Sequence, residues 1–271
     1  LDSTLALLVC AKTCALLGLP PSFICAVTMP GFGTSRRTRG NAAKLAAKLG
    51  AELRTIPIGP AVLRHFKDIG HDPERRNVVY ENAQARERTQ ILMDLANAEG
   101  GLLVGTGDLS EIALGWCTFN GDHMSMYNVN ASVPKTLIRD LVEHHASVSE
   151  PGLATVLRDV ILTPVSPELL PGDQHTEAVL GRYELHDFFL YYFMKFGETP
   201  EGLAALAEQS FGDATTSAEI HDALAIFLRR FIGQQFKRNA APDGPKVGTL
   251  ALSPRGDWRC PPDLSPTVWL R

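Results

Sequence analysis

Two acids and a lysine follow a glycine-rich turn near the middle of the chain. Asp108 and Glu111 come directly after Gly105-Thr106-Gly107, and Lys135 lies further along, between a proline and a threonine. Backbone N–H groups where a strand gives way to a helix, together with the helix dipole, can hold phosphate. Carboxylates at that edge can hold Mg²⁺, and a lysine adds a compact positive charge. The pattern therefore predicts chemistry on a nucleotide.

A regular alternation of strands and helices would bring these groups to one edge of a sheet. Strands are predicted at 23–29, 53–58 and 101–104, and helices at 3–17, 37–49, 61–69 and 82–97. Strand–helix–strand repetition is typical of an α/β fold with a doubly wound parallel sheet that has helices on both faces. The strand at 101–104 feeds the glycine-rich turn.

The pattern changes after about residue 148. Helical segments follow at 152–160, 184–196 and 219–237, and the last thirty residues are rich in proline and glycine. We therefore predict a nucleotide-binding α/β core over residues 1–148 and a mainly helical extension over residues 149–271. We interpret a stripe of apolar residues at helical spacing as core packing, with a subunit contact as the alternative; its members are Leu185, Phe188, Phe189, Tyr192 and Phe193.

Composition narrows the class of partner and compartment. The 271 residues carry a formal net charge of −4, which gives no reason to expect nucleic acid or an anionic membrane as a partner. No run approaches the roughly 18 apolar residues that span a bilayer. The five cysteines are scattered without a Cys-x-x-Cys pair. This usage is typical of a protein in the reducing cytoplasm.

Several common catalytic signatures are not found in the sequence. The glycine turns at 31–33 and 105–107 do not complete Gly-x-Gly-x-x-Gly, and no Walker motif is present, so a hydride-transferring Rossmann enzyme is not favoured. The eight histidines lack metal-ligand spacing with cysteine, and Ser110 and Ser125 lie in no nucleophile elbow.

Longer motifs resemble those of NAD synthetases, in the form found as the C-terminal part of glutamine-dependent enzymes. The resemblance extends from Leu1 to Trp269 and implies the adenine nucleotide alpha-hydrolase-like fold of the N-type ATP pyrophosphatase superfamily. It is carried by Leu1-Asp2-Ser3-Thr4, Met29-Pro30-Gly31, Tyr80-Glu81-Asn82, Gly105 to Glu111, Trp116-Cys117-Thr118-Phe119, Tyr127-Asn128-Val129-Asn130, Pro134-Lys135-Thr136, Gln235-Phe236-Lys237-Arg238 and Ser253-Pro254-Arg255-Gly256-Asp257-Trp258.

The resemblance implies an activity. Similar enzymes use ATP to adenylate the nicotinate carboxylate of deamido-NAD and release pyrophosphate, and ammonia then displaces AMP to give the amide. Mg²⁺ would be the cofactor and ATP a co-substrate. Because the dinucleotide lies across the subunit interface in similar enzymes, we expect a homodimer or a higher homo-oligomer.

The resemblance also implies residue roles. Asp2, Glu111 and Lys135 match catalytic positions, and Asp2 and Glu111 match metal ligands. The positions matching ATP contacts are Leu1, Asp2, Ser3, Thr4, Thr106 and Lys135, and those matching deamido-NAD contacts are Asn82, Glu111, Trp116, Cys117, Thr118, Phe119 and Lys237. Helix capping or ordinary surface charge remains the alternative for Asp2, Ser3, Glu111, Lys135 and Lys237.

Three departures from the family pattern bear on these roles. Family members often carry tyrosine where this chain has Phe119, which removes a hydroxyl. Leu1 to Thr4 match only the end of a Ser-Gly-Gly-x-Asp-Ser phosphate loop, so we expect the first half of that loop and its strand upstream of Leu1. Nothing in residues 1–271 resembles a Glu-Lys-Cys amidase constellation, so we expect ammonia to come free or from a glutaminase domain in the full-length enzyme.

Two other functions stay open at this point. One is another amide- or sulfur-transferring member of the superfamily, such as a GMP synthetase-like enzyme; the acidic net charge and the missing Cys-x-x-Cys argue against a tRNA-thiolating member. The other is a non-catalytic module that senses a nucleotide, which would not need the acids together with Lys135.

Overall fold

A computed structural model describes residues 1–163, 166, 168–170 and 176–270. Its helices are α1 (Asp2–Leu16), α2 (Arg36–Leu49), α3 (Gly59–Ile69), α4 (Val78–Glu99), α5 (Leu109–Leu114), α6 (Lys135–Ser147), α7 (Pro151–Ile161), α8 (Thr176–Leu180), α9 (Tyr183–Phe196), α10 (Pro200–Phe211), α11 (Ser217–Gly233) and α12 (Gln235–Asn239). Its strands are β1 (Cys25–Thr28), β2 (Glu52–Thr55), β3 (Val104–Gly105) and β4 (Tyr127–Asn128).

The strands form parallel pairs. β1 pairs with β2 from Cys25 opposite Glu52 to Thr28 opposite Thr55, and α2 crosses between them and packs on both. β3 pairs with β4, with Val104 opposite Tyr127. Parallel strands need a crossover of a dozen or more residues, usually a helix, which explains the placement of α2. The α/β class with parallel strands and the helical C-terminal part predicted from the sequence are both present.

Apolar side chains gather into distinct clusters. One cluster joins α1, α2, α6 and α7, and a smaller one lies between α3 and α4 around Phe66 and Tyr80. The third is built by α5 and α8 to α11 and contains the buried rings of Phe189, Phe227 and Phe231. The aromatic stripe of α9 thus lies in or against this core. α7 follows residue 148 but packs against α2 and α6, which precede it. α5 precedes residue 148 but packs against helices of the C-terminal part. The division of the chain at residue 148 therefore stays a prediction.

The element boundaries differ from the expected ones in instructive places. The strands are shorter than predicted because only part of each apolar run is paired. β4 and α10 were not predicted, and the helix expected over 219–237 ends at Gly233 and restarts as α12. Among the residues described, none of the helices combines the length and hydropathy that a bilayer-spanning segment requires.

A close approach at the end of α5 explains the break between α11 and α12. Gly115 ends α5 in the left-handed conformation, with φ at +56°, and a Cβ built there would lie 2.4 Å from Cβ of Gln234. Gln234 is the residue between α11 and α12. Only a glycine lets the turn after α5 and this junction come so near each other.

We expect Gly115→Ala to destabilise the fold more than Gly70→Ala. Both glycines have positive φ, which costs an L-residue about 1–2 kcal/mol, but the space around Gly70 is open whereas Gly115 contacts Gln234. Urea unfolding gives the loss in free energy of unfolding for each variant. Because the cost of positive φ is common to both positions, the difference between the two losses is the steric cost at Gly115. Equal losses of stability would contradict the close packing of α5 against the α11–α12 junction.

Candidate active site

The beginnings of α1, α5 and α6 converge on one point. Asp2 is the first residue of α1, and Lys135 is the first residue of α6, directly after Pro134. Asp108 caps α5, where its carboxylate accepts a hydrogen bond of 2.8 Å from the Glu111 N–H. Glu111 lies in the first turn of the same helix. The two acids that follow the glycine-rich turn therefore face the same point as Asp2 and Lys135.

A single ammonium group holds the acids together. Nζ of Lys135 lies 2.7 Å from Oδ2 of Asp2, 2.5 Å from Oδ2 of Asp108 and 2.9 Å from Oε1 of Glu111. The side chains of Lys135 and Asp108 are almost fully buried, whereas those of Asp2 and Glu111 keep about a quarter of their surface exposed. With the carboxylates ionised, one lysine leaves this cluster with an excess of negative charge.

Burial and neighbouring charges shift the pKa values of these groups in different directions. Burial and the nearby Glu111 raise the pKa of Asp108 well above its usual range, and burial raises the pKa of Glu111 to about 7. For Asp2, burial is the largest influence, but the surrounding positive charge and hydrogen bonds, those of Lys135 foremost, together outweigh it and lower the pKa. Burial likewise opposes the charge of Lys135, but the acids prevail and raise its pKa. The site therefore favours bound positive charge.

The donor set fits a hard divalent cation. Asp2, Asp108 and Glu111 each offer a carboxylate oxygen, and these oxygens lie within 4.8 Å of one another. Oδ1 of Asp2 is buried and has no hydrogen-bond partner, so it is an acceptor without a donor. Oxygen ligands of this kind are what Mg²⁺ takes in proteins. The sequence pattern pointed to Asp108 and Glu111 as possible metal ligands, whereas the family resemblance named Asp2 and Glu111; the structure brings all three together.

Asn130 ties the start of α1 to the glycine-rich turn. Its Nδ2 donates to the carbonyl of Asp2 at 2.9 Å and to the carbonyl of Thr106 at 3.2 Å. Asn128, in β4, donates to the carbonyl of Gly107 at 2.7 Å. These contacts hold the backbone of Thr106 next to the start of α1. Leu1 and Thr106 are half-buried, Ser3 is exposed and Thr4 is buried, so the residues expected at ATP differ in access.

Apart from Glu111, the residues expected at deamido-NAD form a second group at the other end of α5. The Thr118 hydroxyl donates to Oδ1 of Asn82 at 2.8 Å, which joins α4 to the turn after α5. The Thr118 N–H donates to the exposed Asp122 at 2.7 Å. The ring centroid of Phe119 lies 5.4 Å from that of Phe236, and the Phe119 carbonyl accepts from Arg86.

Three cations surround the C-terminal end of α5. Lys237 donates to the carbonyls of Gly115 and Cys117 at 2.8 and 2.7 Å. Arg230 donates to the carbonyl of Leu114 and lies 5.0 Å from the Trp116 ring, and Arg238 donates to the carbonyl of Ala113. In the part of the chain that the structure describes, none of these cations makes an ion pair with a carboxylate. Sequence reasoning had selected only Lys237.

A small pocket of about 10 Å³, with room for roughly one water molecule, lies between the two groups. It is lined by Gly107, Glu111, Ile112, Cys117, Asp122 and His123. Glu111 and Cys117 thus share one opening although they belong to different groups. Another cavity, of about 340 Å³, lies between α2 and the pair β1–β2, and the residues described as lining it include none of the expected site residues.

Comparison with known proteins identifies the family. A model of the family described as NAD synthase matches residues 1–238. The chain belongs to the NAD synthase family. It is 43% identical over 299 aligned residues to the glutamine-dependent NAD(+) synthetase of Mycobacterium tuberculosis and 30% identical over 240 to that of Thermotoga maritima. These alignments cover 100% and 87% of this chain but only 44% and 38% of the relatives, so the chain spans less than half of their length.

Solved structures share the fold. A glutamine-dependent NAD(+) synthetase from Cytophaga hutchinsonii superposes with a TM-score of 0.71 at 20% identity, over 89% of this chain and 39% of that one. The glutamine-dependent NAD+ synthetase from Acinetobacter baumannii, in complex with adenosine diphosphate, gives a TM-score of 0.52 at 25% identity over 96% of this chain and 43% of that one. The predicted family and fold class are therefore confirmed.

We expect Cys117 to resist alkylation in the folded protein. Burial raises the pKa of its thiol to about 12 from an ordinary value of 9.0, so about a thousandfold less thiolate is present at neutral pH. Iodoacetamide labelling at pH 8 followed by peptide mass spectrometry should leave Cys117 unmodified while it reacts in urea. Exposed Cys25 is the internal control for labelling of the folded state, and rapid modification of Cys117 would contradict the burial.

Proposed function

We propose that the protein amidates deamido-NAD to NAD with ATP, through an adenylated dinucleotide, and releases AMP and pyrophosphate. The observation that carries the proposal is the Lys135 ammonium shared by three carboxylates at the start of α5, while three cations donate to carbonyls at the end of the same helix. The curated relatives named above are NAD(+) synthetases, which supports the same reaction.

The cluster of Asp2, Asp108 and Glu111 around Lys135 is suited to ATP. Lys135 would donate to phosphate oxygens as they approach and would offset their charge, since a lysine acts as a compact point charge. Thr106, whose carbonyl shares the Asn130 amide with that of Asp2, would offer a hydroxyl. Leu1, Ser3 and Thr4 stand next to Asp2 at the start of α1, where N–H groups favour anions. The Acinetobacter baumannii relative is in complex with adenosine diphosphate, which is consistent with a nucleotide site in this fold.

Magnesium is proposed as the metal, held by Asp2, Asp108 and Glu111. When bound, it would add positive charge beside the phosphates and the leaving pyrophosphate. The protein's own contribution is to keep three acids turned inward on the starts of two helices. The unpartnered Oδ1 of Asp2 supports this assignment, because a buried acceptor without a donor is stabilised by a cation.

The C-terminal end of α5, with its surrounding cations, is suited to the dinucleotide. Among the described residues, Lys237 and Arg230 form no ion pair with a carboxylate, and both donate to carbonyls of the segment 114–117. A nicotinate carboxylate would find charged donors there, and the Trp116 and Phe119 rings offer faces on which a pyridine ring can stack. Asn82 and Thr118 supply an amide and a hydroxyl for its polar edges.

The reaction then needs mainly alignment and charge compensation. A carboxylate oxygen attacks the α-phosphorus of ATP and pyrophosphate leaves; ammonia next attacks the acyl carbon and AMP leaves, with the amine proton lost to solvent or to a carboxylate. Both steps bring anions together, whose charge the cations at the two ends of α5 would offset. We propose that ammonia arrives free or from a glutaminase domain of the full-length polypeptide, in line with the names and lengths of the relatives.

The decisive assay supplies ATP, deamido-NAD and ammonia to the full-length polypeptide and measures AMP and NAD. We expect Lys135→Met to lower kcat/KM by about 10²–10³, the usual effect of removing a group that stabilises developing charge. Lys12→Met, at an exposed lysine of α1, should leave activity unchanged.

Three outcomes would reject the proposal. One is the absence of both products with the unaltered protein. A second is amidation of a different nucleotide acid, such as xanthosine monophosphate, in place of deamido-NAD. The third is nucleotide binding without turnover, which would favour a sensing module.

We also propose that the protein assembles as a homodimer or higher homo-oligomer in the cytoplasm. The dimer follows from the family resemblance, and the compartment follows from the scattered free cysteines. Sedimentation at assay concentration should give at least twice the monomer mass. A stable monomer that forms NAD at the full rate would contradict the shared substrate site.

A further inference from the structure

The helix that carries Lys135 has no cap of its own. Pro134 occupies the N-cap position of α6, and its side chain accepts no hydrogen bond. The first N–H groups of a helix have no partner within the helix and need acceptors from elsewhere. Since Lys135 is the first residue of α6, whatever satisfies these N–H groups also sets where its side chain begins.

The missing caps come from two other helices. The Lys135 N–H donates to the hydroxyl of Ser110, in α5, at 2.8 Å. Asp187, in α9, accepts from the Thr136 N–H at 3.2 Å and from the Thr136 hydroxyl at 2.8 Å through Oδ2. Its Oδ1 accepts from the hydroxyl of Ser110. One carboxylate thus binds the first turn of α6 and the first turn of α5 at the same time.

The same face of α9 also contacts the other end of Lys135. Tyr183 lies one turn before Asp187, and residues four apart share a helix face. The Lys135 ammonium lies 5.6 Å from the centroid of the Tyr183 ring, which is buried. α9 therefore bounds Lys135 at its backbone and at its charged tip.

Asp187 has the chemistry of a positioning group rather than of an ion-pair partner. Its carboxylate receives neutral donors, and among the described residues it forms no salt bridge. A negative group at a helix N-terminus is stabilised by the helix dipole. Because it links α5, which carries Asp108 and Glu111, to α6, which carries Lys135, it fixes the separation between the acids and the ammonium.

We propose that Asp187 is a positioning residue for Lys135: a cap, supplied by α9, that holds the first turn of α6 against α5 and so aims the ammonium into the carboxylate cluster. This rests on the proposed function for its consequence in catalysis, and on the hydrogen bonds above for its geometry. Asp187 itself does not need to touch a substrate.

The test is a double-mutant cycle in the full-length polypeptide with Asp187→Asn and Lys135→Met. The amide keeps the shape of the carboxylate but replaces one of its two acceptor oxygens with an N–H₂, so it can no longer accept from Ser110 and from Thr136 at the same time. We expect Asp187→Asn to lower kcat about 10–100-fold, and the double variant to be no slower than Lys135→Met alone, as for residues that act as one unit. Asp140→Asn, at an exposed aspartate of α6, should leave kcat unchanged.

A multiplicative loss in the double variant, or an unchanged kcat in Asp187→Asn, would overturn the proposal. If Asp187→Asn does not fold, Thr136→Val is the second variant, because it removes one donor to Asp187 and keeps the β-branched shape. A smaller loss of kcat that is again absent in the Lys135→Met background supports the proposal. An unchanged kcat, or a loss that persists in that background, overturns it.

Amide hydrogen exchange separates this proposal from the function on which it rests. Asp187→Asn should speed exchange in the first turn of α6, at residues 135–138, with little change in α2 and α4. If the unaltered protein forms neither AMP nor NAD, the proposed function has failed, and this local loss of protection still supports the cap. Unchanged protection there overturns it whether or not the protein is active.

Discussion

The arrangement of the site depends on one shared ammonium. Three carboxylates turned toward one another repel, and each would be costly to bury alone. Lys135 makes the cluster tolerable, because its Nζ contacts an oxygen of each of Asp2, Asp108 and Glu111. The compensation is incomplete, since one positive charge faces three acids. Burial, together with the neighbouring carboxylates, keeps the pKa of Asp108 and of Glu111 raised. A site in this condition gains from any further cation.

The short helix α5 has acids at one end and cations at the other. Its N-terminal end holds Asp108 and Glu111, and the carbonyls at its C-terminal end receive Arg230, Lys237 and Arg238. Acids at the start and cations at the end of a helix both match its dipole. The arrangement separates a cation-binding end from an anion-binding end by the length of one short helix, with a small pocket lined by Glu111 and Cys117 between them.

The sequence predicted the parts of this arrangement that lie in contiguous motifs. The turn at 105–107, the acids after it and Lys135 stand out because glycine, acid and lysine mark a strand-to-helix junction on their own. Lys237 was identified by resemblance, and the structure brings it to the segment 115–117. The parallel α/β class followed from the alternation of apolar runs, although each strand pairs over fewer residues than its run. The roles assigned to these residues remain predictions.

The remaining parts have no local signature because they are tertiary contacts. In the sequence, Asp187 lies between members of the apolar stripe of α9, which we interpret as core packing. Its partners Ser110 and Thr136 are distant in sequence. Asn130 was quoted within a motif, but its contacts with the Asp2 and Thr106 carbonyls depend on where α1 begins relative to β3. A cap borrowed from another helix obeys the same hydrogen-bond accounting as a local cap. It is found only by asking which acceptor satisfies each N–H at the start of α6, a question that needs the fold.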